Sequence, residues 1–387
     1  MRKILFFFII LFVTTGFGPV YCDDTQDLIL TQLNNADLQD IQQFVDAINK
    51  EADGYLPKLN IKEMLLGLFK GNAVTNAKGI INGLVAYMFR ETVQNFSLLA
   101  RILILAVFCA MLQNLHSAFE SDTIGKLAYN ICYMLIIILA INSFKDAVII
   151  GTDAIDSMVA FMQSLLPTLL TLLMSVGGIA SSTVFQPIIF TSITVISTFI
   201  KTIIIPIILF SAVLAILNNL SESIQISKLA ALLKQFAVGL LGLVLTVFLG
   251  IISVQGVAAS SLDGVSIQTA KFAVDNFIPI IGGFLKDALD AVVSCSMLIK
   301  NGIGIAGLLI LLLICIIPLI KMLSIVLIYK ISSALIQPIL NNQIVNCLND
   351  MGNSMLVIMI SVIAVGVMFF MAITVIIGIG NMAVMMR

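Results

Sequence analysis

The 387-residue sequence contains no tryptophan, one histidine and few charges: 11% of residues are Asp, Glu, Lys or Arg. Soluble domains carry about 25% charged residues. A shortage of this size, beside 60% hydrophobic residues, excludes an ordinary soluble enzyme. The formal net charge of −1 leaves no electrostatic footprint for nucleic acid. Six cysteines are present, at 22, 109, 132, 295, 315 and 347, and none forms a C-x-x-C. Their places in or beside apolar runs fit buried small side chains better than a disulfide framework or a metal site. No H-E-x-x-H, G-x-S-x-G or P-loop occurs. Gly302-Ile-Gly-Ile-Ala-Gly307 spells G-x-G-x-x-G, but it opens an apolar run with no strand before it and no acid about 20 residues on. Small residues for close helix packing account for it better. Composition therefore predicts an all-α, polytopic helical membrane protein that is not an enzyme and needs no cofactor.

What is present is a series of long apolar runs. A bilayer core of about 30 Å takes roughly 20 apolar residues. Leu98–Leu115, Leu127–Phe144, Leu165–Ala180, Val184–Leu217, Phe236–Val254, Ile303–Ile328 and Leu356–Ile379 meet or approach that length. Val184–Leu217 holds Lys201 and Pro206 and reads as one long span or two short ones, so the expectation is seven or eight spans. Ala147–Phe161 between two runs is amphipathic, with Asp153 and Asp156 on one face. They read either as a carboxylate pair for proton chemistry or as the wet face of an interfacial helix. The Lys and Arg bias between loops is too small to orient the later spans.

The chain divides into three regions. Residues 1–22 have a basic start, an apolar stretch from Ile4 to Val13 and breakers at Gly16, Gly18 and Pro19, the pattern of a secretory signal peptide. Residues 23–95 hold most of the acidic excess and read as an extracytoplasmic set of amphipathic helices. Leu38, Ile41, Val45 and Ile48 keep helical spacing, and Asn60 with Glu63 forms a capping-box pattern. Residues 96–387 form the polytopic domain.

Chemistry-bearing residues are sparse. Lys201 and Lys321 lie inside apolar runs, where a cation costs about 2.5–3.5 kcal/mol on insertion scales. They line a pathway, pair with an acid or snorkel to an interface. The segment 260–302 is semi-polar, with Lys271 and Asp275 four apart, and Lys286, Asp287 and Asp290 close behind. Between the two groups lies Phe277-Ile-Pro-Ile-Ile-Gly-Gly, and the segment reads either as an interrupted run buried in protein or facing a wet cavity, or as a surface amphipathic helix pair at the headgroup level. These seven residues are the candidate pathway or gating set. Pro167, Pro206, Pro279 and Pro318 are candidate helix breaks. Pro167 and Pro206 are 39 apart, as are Pro279 and Pro318, which raises an internal repeat of about 150–260 and 262–380 of the sort transporter folds carry.

Several stretches resemble the stage III sporulation protein AE family. They are Gly54-Tyr-Leu-Pro57, Phe69-Lys-Gly71, Ala180-Ser-Ser-Thr-Val-Phe-Gln-Pro187 and, above all, Gln255-Gly-Val-Ala, Asp263-Gly-Val, Thr269-Ala-Lys, Asn276-Phe-Ile-Pro279 and Lys300-Asn-Gly. The resemblance covers nearly the whole chain. It implies a multi-span component of a secretion-like channel complex between mother cell and forespore, set in the mother-cell membrane. Implied partners are the other proteins of that sporulation operon and, through them, stage II sporulation protein Q. No functional residue is carried over, because the family has no known catalytic motif. Two other roles fit the residues: a membrane scaffold that recruits ring components without conducting, and a stand-alone permease-like transporter.

Overall fold

In a computed structural model of the chain, the described residues are 38–69, 77–118, 122–220, 226–277, 282–340 and 342–385. They form ten α-helices and one π-helical turn, with no strand among them: α1 (Gln39–Glu51), α2 (Ile61–Phe69), α3 (Ala77–Gln94), α4 (Phe96–Ala118), α5 (Asp122–Ser175), α6 (Ile179–Phe199), the π turn (Ile200–Ile204), α7 (Ile205–Leu220), α8 (Ser227–Phe277), α9 (Gly282–Ile336) and α10 (Asn342–Met385). Residues 1–22, with the expected signal peptide, lie outside the described residues.

The small N-terminal helices form as their spacing predicts. Ile41, Val45 and Ile48 make the buried stripe of α1. Asn60 caps α2 by accepting the backbone N–H of Lys62 at 2.9 Å. Two side chains tie α1 to the chain entering α2. Asn49 donates to the Leu59 carbonyl and accepts its N–H, at 2.8 and 2.9 Å. Gln42 accepts the Ile61 N–H at 3.1 Å. Gly83 of α3 lies so close to the Tyr55 carbonyl that a Cβ there would be 2.3 Å from it. That close approach admits the loop after α1.

The described residues of the polytopic region are helical apart from short turns, with no strand among them, and six helical stretches among them are long and apolar enough to cross a membrane: Gly79–Leu112, Asn130–Ser175, Ser181–Asn219, Ser227–Gly256, Val293–Ile336 and Gln343–Ile379. Seven or eight spans are expected from the sequence; among the described residues the apolar runs join into these six. Leu127–Phe144 and Leu165–Ala180 are not separate spans, because Ala147–Phe161 between them continues as helix. Its Ala147, Ala154, Ile155, Met158 and Phe161 are buried while Asp153 and Asp156 stay exposed, so the amphipathic stretch packs without a break. Val184–Leu217 is likewise one element, carried through its middle by the π turn.

The prolines explain part of this. Pro167 and Pro318 lie inside α5 and α9, so neither ends its helix as expected. A membrane helix tolerates proline where neighbours re-satisfy the freed backbone. Pro206 is the second residue after the π turn. Its ring crowds the carbonyl four residues back and it has no N–H to donate. The backbone answers by widening: the Ile205 N–H reaches the Ile200 carbonyl, five residues back. Pro279 lies outside the described residues. Between α5 and α6 the chain reverses at Gly177, whose φ of +102° is open to glycine at little cost. There Gly177 and Gly178 donate to Met174 and Leu173 in the manner of a helix C-cap.

Three helices make the centre: α9 packs on α10 and on α5, and α10 on α5. Small residues set their register. Gly307 faces Leu165, Gly304 faces Ile377 and Leu169, Gly366 faces Cys315 and Met158, and Gly151 faces Ile358 and Met322. Thus α9 runs antiparallel to α5, and α10 runs parallel to it. Gly304 and Gly307 belong to the G-x-G-x-x-G run and serve close packing.

Candidate functional site: charges inside an apolar frame

Most of the charges with resolved contacts are held across elements far apart in sequence. Lys201 in the π turn binds both carboxylate oxygens of Asp156 on α5. The pair is not sealed in: 30% of the Lys201 side chain and 56% of that of Asp156 remain accessible. Lys321 on α9 donates to Glu51 at the end of α1, at 2.5 Å. Both expected intramembrane cations therefore have an acidic partner. Asp153, three residues from Asp156, is exposed and turned to the same side.

The second ion pair belongs to a seam between the N-terminal helices and the bundle. Phe44 of α1 meets Phe161 of α5 edge-on at 5.5 Å. Arg90 of α3 pairs with Asp53 at 2.8 Å and stacks 5.2 Å from the centre of the Tyr55 ring. The Thr92 and Ser324 hydroxyls are 3.3 Å apart. The N-terminal helices are thus docked along α5 and α9.

Two polar sites escaped the reading of the sequence. Lys300 is fully buried on α9 and donates to the backbone carbonyl of Ile377 on α10 at 3.0 Å. Near the other end of the same helix pair, Lys330 donates to Asn349 and Asn353, each at 2.6 Å. Between those two residues, Asp350 accepts from Asn219 of α7 at 3.1 Å. This second cluster joins α7, α9 and α10. Its signal was present: Asn349 and Asn353 are four apart, so both face one neighbour. Lys300 carried no such pattern, because its acceptor is a backbone oxygen 77 residues away.

Lys271 and Asp275 fall within α8, and Lys286, Asp287 and Asp290 within α9, but their side chains lie outside the described residues. The same holds for the only histidine, His116. Among the described residues no group of three or more His, Cys, Asp or Glu could hold a metal ion, and Cys109, Cys132, Cys295, Cys315 and Cys347 are free thiols.

Long apolar helices, few charges, and those charges fastened between helices define a polytopic helical membrane protein. Comparison narrows the class. A family model described as stage III sporulation protein AE matches residues 59–380. Stage III sporulation protein AE of Bacillus subtilis (strain 168) is 40% identical over 347 residues, 90% of this chain and 87% of the relative. The chain belongs to the stage III sporulation protein AE family, and its role lies in sporulation. No solved structure matches.

Proposed function

We propose that this protein is a multi-span membrane component of the mother cell–forespore channel complex required for endospore development. It stands in the mother-cell membrane with its N-terminal helices outside the cytoplasm. Its partners are the other stage III operon proteins and, through them, stage II sporulation protein Q. The observation that carries the reading is family membership over most of the chain. The ion pairs agree with it: Lys201–Asp156 and Lys321–Glu51 fasten the bundle and leave carboxylate and ammonium surface accessible. In this reading the protein performs no catalysis. Lys271, Asp275, Lys286, Asp287 and Asp290 line or gate the passage.

A spore-former carrying the chain with those five side chains neutralised tests the proposal. The expected result is an assembled complex, captured with its operon partners, beside arrested forespores. Normal spores from that strain would refute the passage. If the substituted strain sporulates while removal of α1–α3 abolishes assembly, the protein is a scaffold instead.

A further inference from the structure

The polar cluster around Asp350 holds more positive charge and more hydrogen-bond donors than it answers. Its parts come from α7, α8, α9 and α10. Lys330 donates to Asn349 and Asn353, each at 2.6 Å. Asn219 donates to Asp350 at 3.1 Å. Lys234 of α8 lies within electrostatic reach of both Asp350 and Lys330. All of these side chains are half-buried.

Two ammonium groups therefore share one carboxylate. That carboxylate is met by a neutral amide, and among the described residues no acid lies within ion-pair distance of Lys234 or Lys330. Lys330 is answered by amide oxygens, which carry no net charge. Lys234 makes no hydrogen bond among the described residues. Exposed Lys228, earlier on α8, adds a further cation at this end. Positive charge partly withdrawn from water is costly until it is matched.

The donors tell the same story. Asn349 and Asn353 turn their oxygens to Lys330, so each amide leaves its two N–H bonds for an acceptor elsewhere. The Lys234 ammonium has three donors and no acceptor of its own. A group that suits this place brings several oxygens and a negative charge, and has no need to donate. That describes an oxyanion. Two lysines against Asp350 leave an excess of one positive charge. A phosphodiester carries one negative charge, whereas a phosphomonoester carries about 1.5 to 2 at pH 7.

The place also indicates the source. Asn219 ends the apolar stretch Ser181–Asn219. Lys234 and Asp350 lie about two turns into Ser227–Gly256 and Gln343–Ile379, and Lys330 lies about two turns before the end of Val293–Ile336. The cluster is thus gathered where several spanning stretches end, the level at which lipid headgroups begin. Basic pockets between helices at such a level take anionic headgroups. Beside Lys234, Leu229, Leu232 and Phe236 are exposed, an apolar face suited to the acyl chains of the same molecule.

We propose that Lys234, Lys330, Asn349 and Asn353 form a binding site for a phosphate group, supplied by an anionic phospholipid. Phosphate oxygens accept from Lys234 and from the asparagine amides, while Lys330 keeps its two amide oxygens and supplies charge. Asp350, held by Asn219, restricts the site to a single negative charge.

Isothermal titration calorimetry on the purified full chain in a neutral detergent tests this with short-chain phosphatidylglycerol, short-chain phosphatidylcholine and inorganic phosphate. Phosphatidylcholine is the control because its own choline cancels the phosphate charge. Phosphatidylglycerol is expected to bind at least about ten-fold tighter, the worth of one hydrogen bond to a charged group. K234M and K330M are expected to lose that preference, and K234R to keep it. K50M, on the exposed side of α1, should bind as the parent does. Removing the Lys234 ammonium orphans no partner among the described residues, so K234M remains informative if K330M fails to fold; an unchanged far-ultraviolet circular dichroism spectrum checks this. Inorganic phosphate that binds as tightly as phosphatidylglycerol, and is lost with it in K234M, would support the site and make free phosphate its ligand. Equal binding of the two lipids, or a preference that K234M retains in full, would overturn the proposal.

Discussion

Replacing Lys300 by methionine should leave the protein about as stable as it was, or more so, while harming its function. Lys300 is 0% exposed, and its ammonium donates to a neutral backbone oxygen at 3.0 Å. A cation inside the membrane costs about 2.5–3.5 kcal/mol on insertion scales. A hydrogen bond from a charged group returns about 1.5–3 kcal/mol. Methionine has similar length, keeps the packing and removes both terms, so the balance runs from about −0.5 to about +2 kcal/mol in favour of Lys300→Met. Reversible unfolding of purified protein in mixed micelles, read by far-ultraviolet circular dichroism, measures the difference. Sporulation efficiency of the substituted strain gives the second readout, expected to fall. A loss of 2 kcal/mol or more in the micelle experiment would refute the reasoning. It would show that Lys300 is matched by a negative charge, for which an acid of segment 260–290 would be the source.

Other consequences can be checked in the same assay. Gly304→Val places a Cβ 2.5 Å from Ile377 Cγ1 and Cδ1, and overpacking of that kind should cost about 1–3 kcal/mol. Gly307→Ala meets only the far end of Leu165 at 2.6 Å and should cost less than Gly304→Val. A double-mutant cycle on Asp156→Asn and Lys201→Met should give a coupling of about 1 kcal/mol or less that shrinks in high salt, because the pair is accessible. Asn353→Leu takes from Lys330 one of its two acceptors and should destabilise by about 1.5–3 kcal/mol; added salt should not remove that effect.

The helical membrane class was legible because it rests on composition, and composition does not depend on which residues meet. The helix count was less legible. A stretch such as Ala147–Phe161 looks like a link when its acids are weighed against a lipid surround. It is a continuous helix because Ile155, Met158 and Phe161 bury one face on neighbours the sequence does not name. For the charges the division is the same. That Lys201 and Lys321 are costly could be read locally. That their partners are Asp156 and Glu51, 45 and 270 residues away, required the fold. Lys300 and Lys330 were assigned no partner because amide and carbonyl oxygens carry no charge to match with theirs.

The bond from Lys300 to Ile377 has a bearing on how the chain is made. Synthesis runs from the N-terminus, so α9 is offered to the bilayer before the acceptor of its ammonium group exists. For 77 further residues that group must be hydrated or held by other protein. Helix α10 then closes the bundle and covers it. A polypeptide cut short before Ile377 would keep an orphaned ammonium among its spans, a feature that membrane quality control could detect and clear.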